Sequence, residues 1–483
     1  MQLLVLLLLA SVLYADQLPG SLPKETTRLL ALLAFLPPIL CVVVEFFVVR
    51  RTLYLATSGF VSSVRRASLR LRVMQWIVVG CTVLSLLGLG WLELVRTVTG
   101  DLVVLDELLA ILPALLLLAM LWAVQWPLER LLRESMLLRR LDQGLPVHAI
   151  PSTGRYVVEQ VRMHLLLIVA PALTVLALVE TADLCTRLVL PEADAAVVAP
   201  WAAGGSGLLG LLIAPLVIGR AIGATPLPPG TMRGAMEQVL RDAGVRVRDI
   251  LVWPTSGCLL NGAVVGLLPR VRYVLLTDGL LELLSLDQIR AVMAHEAGHL
   301  RHRHLPWTAL ILVTLFAGYG QLMEWIINPI FQAMLPGSGD PASLQSTFEI
   351  FGVVVVGGMC FFSFGAISRR FELQADAAAA CDLTFRNREE DHSAAAGIVS
   401  SGAVDLMSSA LGMVALVNGL DPSRHTWRHG SIRWRQQRLR SIVGRPISGL
   451  RIDAQIRCLK GLTVLVLCSL FLVWTLQYLG QGS

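Results

Sequence analysis

Two histidines four residues apart, His295 and His299 in "AVMAHEAGHLRHRH", enclose Glu296 in an H-E-x-x-H pattern. On a helix, residues four apart share a face, so both imidazoles can point at one ion while the glutamate stands beside them. Zinc accepts imidazole nitrogen at about 2.0–2.1 Å and, in a catalytic site, takes a third protein ligand and keeps a place for water. The pattern supplies two ligands and a general base. A helix end at a membrane surface can also carry histidines as plain interfacial residues, so a third ligand must be sought. "SRRFELQADAAAA" offers Glu372 and Asp376, again four apart. Glu372 could complete a His-His-Glu shell, and Asp376 could accept the N–H of a ligand histidine and fix its tautomer. The competing reading is a solvated acidic helix face. The alanines that follow, and the apolar run that ends a few residues earlier, weigh against it.

The elements that carry these residues belong to a membrane protein. Hydrophobic residues make up 55% of the 483 positions and charged ones 15%, well below the roughly 25% charged of a soluble domain. A span needs about 20 mostly apolar residues, and such runs lie near 29–49, 73–95, 103–126, 163–182, 198–219, 306–333, 349–367 and 461–480. The N-terminal "MQLLVLLLLASVLYA" is shorter and lacks a basic leader, which leaves a cleaved signal, a short anchor and a lumenal flap open. The loop holding Arg50, Arg51, Arg65, Arg66, Arg70 and Arg72 has no acidic residue, and the loop 127–162 is again arginine-rich; both belong on the cytoplasmic side. Counting through the spans puts 220–305 and 368–460 in that same compartment. The net charge of +6 is therefore topology information, and no aromatic-interleaved basic stripe suggests nucleic acid. The eight cysteines are scattered without a C-x-x-C pair and read as small buried hydrophobes.

Between the spans, "GTMRGAMEQVLRDAG" has helical periodicity, and "VRVRDILVW", "NGAVVGLL" and "RYVLLTD" read as short strands separated by turn residues. Ser285 with Gln288 three residues on is a capping box for the helix that carries the histidines. "DHSAAAGIVSSG" (391–402) reads as a flexible connector. The expected division is 1–15, a short apolar segment (signal, anchor or flap); 16–227, an N-terminal transmembrane region; 228–305, the first half of a zinc peptidase domain; 306–367, two transmembrane helices; 368–460, its second half; and 461–483, a C-terminal transmembrane helix.

The stretch "VLLTDGLLELLSLDQIRAVMAHEAGHLRHRH", followed after two spans by "RRFELQADAAAA", resembles the integral-membrane zinc endopeptidases that include bacterial HtpX and the eukaryotic CAAX prenyl endopeptidase. The resemblance covers roughly 228–440. It implies a mainly α, polytopic protein with a small α+β, gluzincin-like cytoplasmic domain, one Zn2+ held by His295, His299 and Glu372, and Asp376 behind a ligand. It also implies a strand that pairs with substrate backbone. Here that strand reads "NGA" (Asn261, Gly262, Ala263), so Asn261 matches while Gly262 departs, and the three are the expected substrate-binding residues. The late block "HGSIRWRQQRL" is similar to the family's histidine-proline and arginine block, with His429 and Arg435 at matching places and glycine in place of proline. Five spans before the first motif and two between the motifs are similar to the prenyl endopeptidase arrangement; the run 461–480 is extra.

The expected activity is metal-assisted peptide hydrolysis, with Glu296 as general base and His429 or Arg435 stabilising the oxyanion. The expected partners are polypeptide substrates, membrane-associated, and the bilayer, with no nucleic acid and no partner protein. A catalytically inactive scaffold or chaperone of the same fold, and a transporter, are the rival classes; an intact Glu296 argues against the first and the paired motifs against the second. His302 and His304, among Arg301 and Arg303, read as a basic cluster facing lipid headgroups. His148, His164, His392 and His425 lack a ligand-spaced partner. Glu45 and Glu324, in or near apolar runs, fit either a water-filled interior or a buried polar helix contact.

Overall fold

Leucine, valine and alanine runs offer the backbone no polar partner in lipid, so they cross a bilayer only as helices that bond internally. The computed structural model describes residues 1–16, 25–55, 60–100, 102–142, 144, 146–330, 341–386, 393 and 395–481. Among them, seven helices are long and apolar enough to span: Thr27–Tyr54, Leu69–Gly88, Leu105–Asp142, Thr153–Val189, Glu192–Ala221, His304–Ile330 and Arg451–Gln477. The eighth apolar run, 349–367, falls within the helix Pro341–Arg386, several of whose side chains lie outside the described set. The protein is thus mainly α-helical and polytopic, with a small α+β part, as its sequence implies.

Two units are distinguishable. The first comprises Met1–Pro226, Leu251–Gly257 and Arg270–Tyr273. The short N-terminal helix Gln2–Asp16 buries Leu4, Val5 and Leu8 in a cluster with Val78, Ile111 and Leu118. The buried carboxylates Glu45, Asp106 and Glu107 each face an arginine, because an isolated charge at membrane depth costs several kcal/mol. Arg96 meets Asp106 at 2.6 Å and Glu107 at 3.1 Å. Glu45 is fully buried against Gln125 and against Arg70, whose Nε is 3.3 Å away, so of its two sequence readings the polar helix contact holds. Glu324 lies exposed on its helix.

The second unit comprises Leu227–Ile250, Cys258–Pro269 and Val274–Ser483. Its helix Thr231–Asp242 ends before Gly244, whose φ of +68° is the left-handed cap that glycine adopts without strain. The strands, of which β1, residues 251–253 of β2 and Tyr273 of β4 belong to the first unit, are β1 (Thr225–Pro226), β2 (Asp249–Trp253), β3 (Gly262–Val265) and β4 (Tyr273–Thr277), in the order β1-β2-β4-β3, which leaves β3 at an edge. β1 pairs antiparallel with β2, Thr225 opposite Val252.

The histidine helix, Leu286–Arg301, starts on the expected capping box: the Gln288 amide donates to Ser285 Oγ at 3.3 Å and the Ser285 amide to Gln288 Oε1 at 3.1 Å. Ile311, Phe371 and Ile456 form an apolar cluster that packs the helices beginning at His304 and Arg451 against the carboxylate helix Pro341–Arg386. The segment 391–402 differs from its reading as a free connector. Its positions 391, 392 and 394 lie outside the described residues, but Ile398 bridges to Pro446 and the helix Ser401–Val417 begins within it. No disulfide joins the eight cysteines.

Candidate metal centre and active site

His295 and His299 project from one face of the histidine helix, their Nε2 atoms 3.2 Å apart. Glu372, from the carboxylate helix, places Oε2 3.6 Å from His295 Nε2 and Oε1 3.7 Å from His299 Nε2. Ligand atoms at 2.0–2.1 Å from a tetrahedral zinc stand about 3.3–3.4 Å from one another, so this donor set fits the ion its chemistry suggests. Among the described residues these three form the histidine–carboxylate group able to share a metal, all within 4.8 Å. Glu296 is buried beside them.

The two helices come this close because of a residue that looks like a spacer in H-E-x-x-H. A Cβ on Gly298 would lie 3.2 Å from both Cα and O of Ala375 and 3.3 Å from Cβ of Ala378. Glycine on one helix and alanines on the other let the backbones touch. Arg301 and Asp382 then join the same two helices by an ion pair.

A second ring of contacts holds the ligands. Asp376 Oδ1 lies 2.9 Å from His295 Nδ1. Arg435, from the helix Ile432–Arg440, donates from Nε to Asp376 Oδ2 at 2.8 Å and from Nη2 to Oδ1 at 2.6 Å, and its Nη1 is 3.3 Å from Glu372 Oε2. His429 Nδ1 is 3.0 Å from Glu372 Oε1, with the side chain half-exposed. Its turn explains a departure from the family pattern: Gly430 has φ +72°, a left-handed value that proline, fixed near −65°, does not adopt. Thr426 and Gly430 bridge across this turn, and Arg369 Nη1 donates to the Trp427 carbonyl at 2.7 Å, tying it to the carboxylate helix.

Burial alone would raise both carboxyl pKa values, but the charge of Arg435 reverses that. With the His429 hydrogen bond it holds Glu372 well below the usual range, and with its own hydrogen bonds it lowers Asp376 to about 2. Glu296 has burial as its dominant influence and is pushed up, His295 opposing. Burial lowers the His295 pKa, yet Asp376 outweighs it and the net shift is upward; burial and the charge of His295 together push His299 well down.

One side chain corrects the sequence reading. His304 does not face lipid headgroups. It is 4% exposed, stacked on Phe371 at 4.4 Å, with Nδ1 2.8 Å from His299 Nδ1 and Nε2 2.9 Å from Gln374 Oε1; Gln374 Nε2 donates onward to Asp453 at 2.6 Å. His302, at the turn, is partly exposed, and its carbonyl accepts from Lys460. The signal for His304 was its place five residues after a ligand, together with Gln374 between Glu372 and Asp376.

A cavity of about 750 Å³ opens on the centre, lined on one side by Asn261, Gly262 and Ala263. A Cβ on Gly262 would meet Val292 Cγ1 at 3.2 Å and Glu296 Oε1 at 3.5 Å, so the departure from alanine leaves room beside the glutamate. The main chain of Asn261 is paired with Thr277, whose amide donates to its carbonyl at 3.0 Å. Asn418, which the sequence did not flag, clamps the preceding residue: Leu260 N donates to its Oδ1 at 2.9 Å and its Nδ2 donates to Leu260 O at 2.8 Å.

Residues 237–443 match the sequence model described as "Peptidase family M48". Protease HtpX of Pseudomonas aeruginosa is 29% identical over 147 residues, 30% of this chain and 49% of that protein. The protease HtpX homolog of Methanocaldococcus jannaschii is 29% identical over 143 residues, 29% of this chain and 49% of that protein. The crystal structure of S. mikatae Ste24p aligns at 17% identity with a TM-score of 0.45, covering 87% of this chain and 100% of that one. The chain spans about half the length of the curated relatives it matches. The paired motifs lie inside the matched region, 237–443, and it is this part of the chain that is similar to peptidase family M48 and to the HtpX proteases.

Proposed function

We propose that this chain is an endopeptidase that hydrolyses peptide bonds in membrane-associated, misfolded or lipid-anchored polypeptides, with its site on the cytoplasmic side. One observation carries the reading: two imidazoles and a carboxylate from separate helices converge within 4.8 Å, with a buried glutamate beside them. A zinc ion held by His295, His299 and Glu372 supplies Lewis acidity and brings the pKa of water toward neutrality. Glu296 takes the proton of the attacking water and returns it to the leaving amine; its raised pKa suits a group that must do both. Asp376, gripped by Arg435, holds His295 in place. His429, half-exposed at the cavity and with Nδ1 on Glu372, is the side chain placed to meet the developing oxyanion through its other ring nitrogen. Extended substrate adds to edge strand β3 through main-chain hydrogen bonds along Asn261, Gly262 and Ala263, a mode that reads backbone more than sequence. The arginine-rich loops at 50–72 and 127–162 support the cytoplasmic placement.

The test is cleavage of a prenylated peptide, its unmodified twin and a misfolded membrane protein, each against Glu296→Gln. The purified chain is expected to carry one zinc and to cut at least one substrate, with Glu296→Gln abolishing turnover while keeping the metal. Well-folded protein without metal, or turnover indifferent to that substitution, defeats the reading. Equal cutting of the twins removes lipid specificity.

A further inference from the structure

On the opposite side of the carboxylate helix lies a second cavity, of about 590 Å³, whose rim carries Arg369, Arg370, Arg438, Arg445 and Arg451. The one carboxylate lining it is Asp376, already bonded to Arg435. Among the described residues, the side chains of Arg369, Arg370 and Arg445 donate to main-chain carbonyls and meet no carboxylate, and those of Arg438 and Arg451 have no hydrogen bond or ion pair. Five cations gathered on one concave surface repel each other, and such a gathering is stable when an anion sits among them. Guanidinium forks match the geometry of phosphate oxygens.

The rest of the wall is apolar, formed by Leu373, Leu439, Leu450 and Ile452. Position completes the argument. Arg451 is the first residue of the helix Arg451–Gln477, whose apolar run begins near 461, and Arg369 and Arg370 follow Ser368 just past the apolar run 349–367. Arg369 and Arg370 therefore stand at the end of an apolar run, the level at which lipid phosphates lie and where basic pockets between spans hold anionic headgroups, and Arg451 stands about three helical turns before the apolar run 461–480. We propose that this cavity binds the phosphate of an anionic phospholipid, its arginines holding the headgroup and its apolar wall the adjoining glycerol and acyl carbons.

The experiment is a titration of the purified full chain in neutral detergent with short-chain phosphatidylglycerol, short-chain phosphatidylcholine and inorganic phosphate, read by native mass spectrometry. Phosphatidylglycerol is expected to bind about tenfold or more tightly than phosphatidylcholine, and R438Q/R451Q to lose that preference. R438K/R451K, which keeps the charge, is expected to retain part of it, and R457Q, an exposed arginine outside the cavity, all of it. Equal affinity for the two lipids, or undiminished phosphatidylglycerol binding by R438Q/R451Q, overturns the proposal; so does inorganic phosphate competing at the lipid's own concentration, which moves the site to a free anion. Should the double variant not fold, R451Q alone is read by the same criteria. The readout needs no turnover, so it can be made in Glu296→Gln protein and stands apart from the peptidase reading.

Discussion

Arg435 closes on Asp376 with two nitrogens, at 2.8 and 2.6 Å, while its third reaches toward Glu372 at 3.3 Å. One guanidinium thus sits between the carboxylate that would bind metal and the carboxylate behind His295. Replacing Arg435 by methionine leaves both buried without their cation, a loss of about 3–5 kcal/mol. Lysine is not expected to rescue it, because a point charge cannot reproduce the fork. Asp376→Asn keeps the shape and is expected to weaken metal binding about 10–100-fold. Thermal unfolding of the Arg435 variants and a chelator-competition titration of Asp376→Asn check both; near-native values would show the contact to be idle.

The same pair fixes a pH dependence. Asp376 sits at about 2 in the fold against an ordinary value of 3.8. A carboxylate whose folded pKa is depressed adds stability above the unfolded value and loses it as pH falls through the folded one. The contribution, on the order of 2 kcal/mol, is complete above about pH 4 and disappears toward pH 2; Glu372 is shifted the same way. Metal-free protein should melt progressively lower across that window, and Asp376→Asn should flatten the slope. An unchanged slope would remove Asp376 from the account.

His304 forms the middle of a directional chain. With His299 Nε2 turned to the metal cluster, its Nδ1 bears the proton and donates to His304 Nδ1; His304 Nε2–H then donates to Gln374 Oε1, and the Gln374 amide to Asp453. This ordering of protons is assigned from the network, and it satisfies every member. His304→Phe preserves the stack on Phe371 but removes the acceptor, and is expected to weaken metal binding about 10–100-fold. His304→Asn should recover part of that. Equal affinity in all three proteins would reduce His304 to packing.

What the sequence disclosed, and what it hid, follows from range. The two i,i+4 pairs were legible because helical spacing is local, and so were the strands between their turn residues. His304 was hidden because its burial depends on a turn at Arg303, where φ is +55°, a conformation no residue pattern announces for arginine. Gly298 was hidden for another reason: its role belongs to a helix about eighty residues away in the chain, and only the meeting of backbones reveals it. The order of the sheet, and hence the edge position of β3, was equally nonlocal.

Gly298 accordingly offers a test of assembly that touches no ligand. A valine there sets its Cβ 3.2 Å from the Ala375 backbone, which cannot rotate away as a side chain could. The helices must separate, at a cost of about 1–3 kcal/mol, and Glu372 moves away from the imidazole pair with them. Gly298→Val is expected to lose zinc while the helical content stays near native. Retention of one tightly bound zinc would mean that the approach of the helices does not control the centre.

Asn418 tests the path to the edge strand. Its amide caps both polar groups of the Leu260 main chain, at 2.9 and 2.8 Å, and Leu260 leads directly into Asn261 and β3. Alanine at 418 strips both bonds, costing about 1–3 kcal/mol, and releases the segment that would align substrate. Because neither residue touches the imidazoles or Glu372, zinc content should not change; KM should rise with kcat much less affected, the pattern of lost ground-state and transition-state binding alike. Asn418→Asp keeps the acceptor for Leu260 N–H but not the donor, so it should fall between alanine and wild type. A variant that lowers kcat at constant KM would place Asn418 in the chemistry instead of in the holding of the strand.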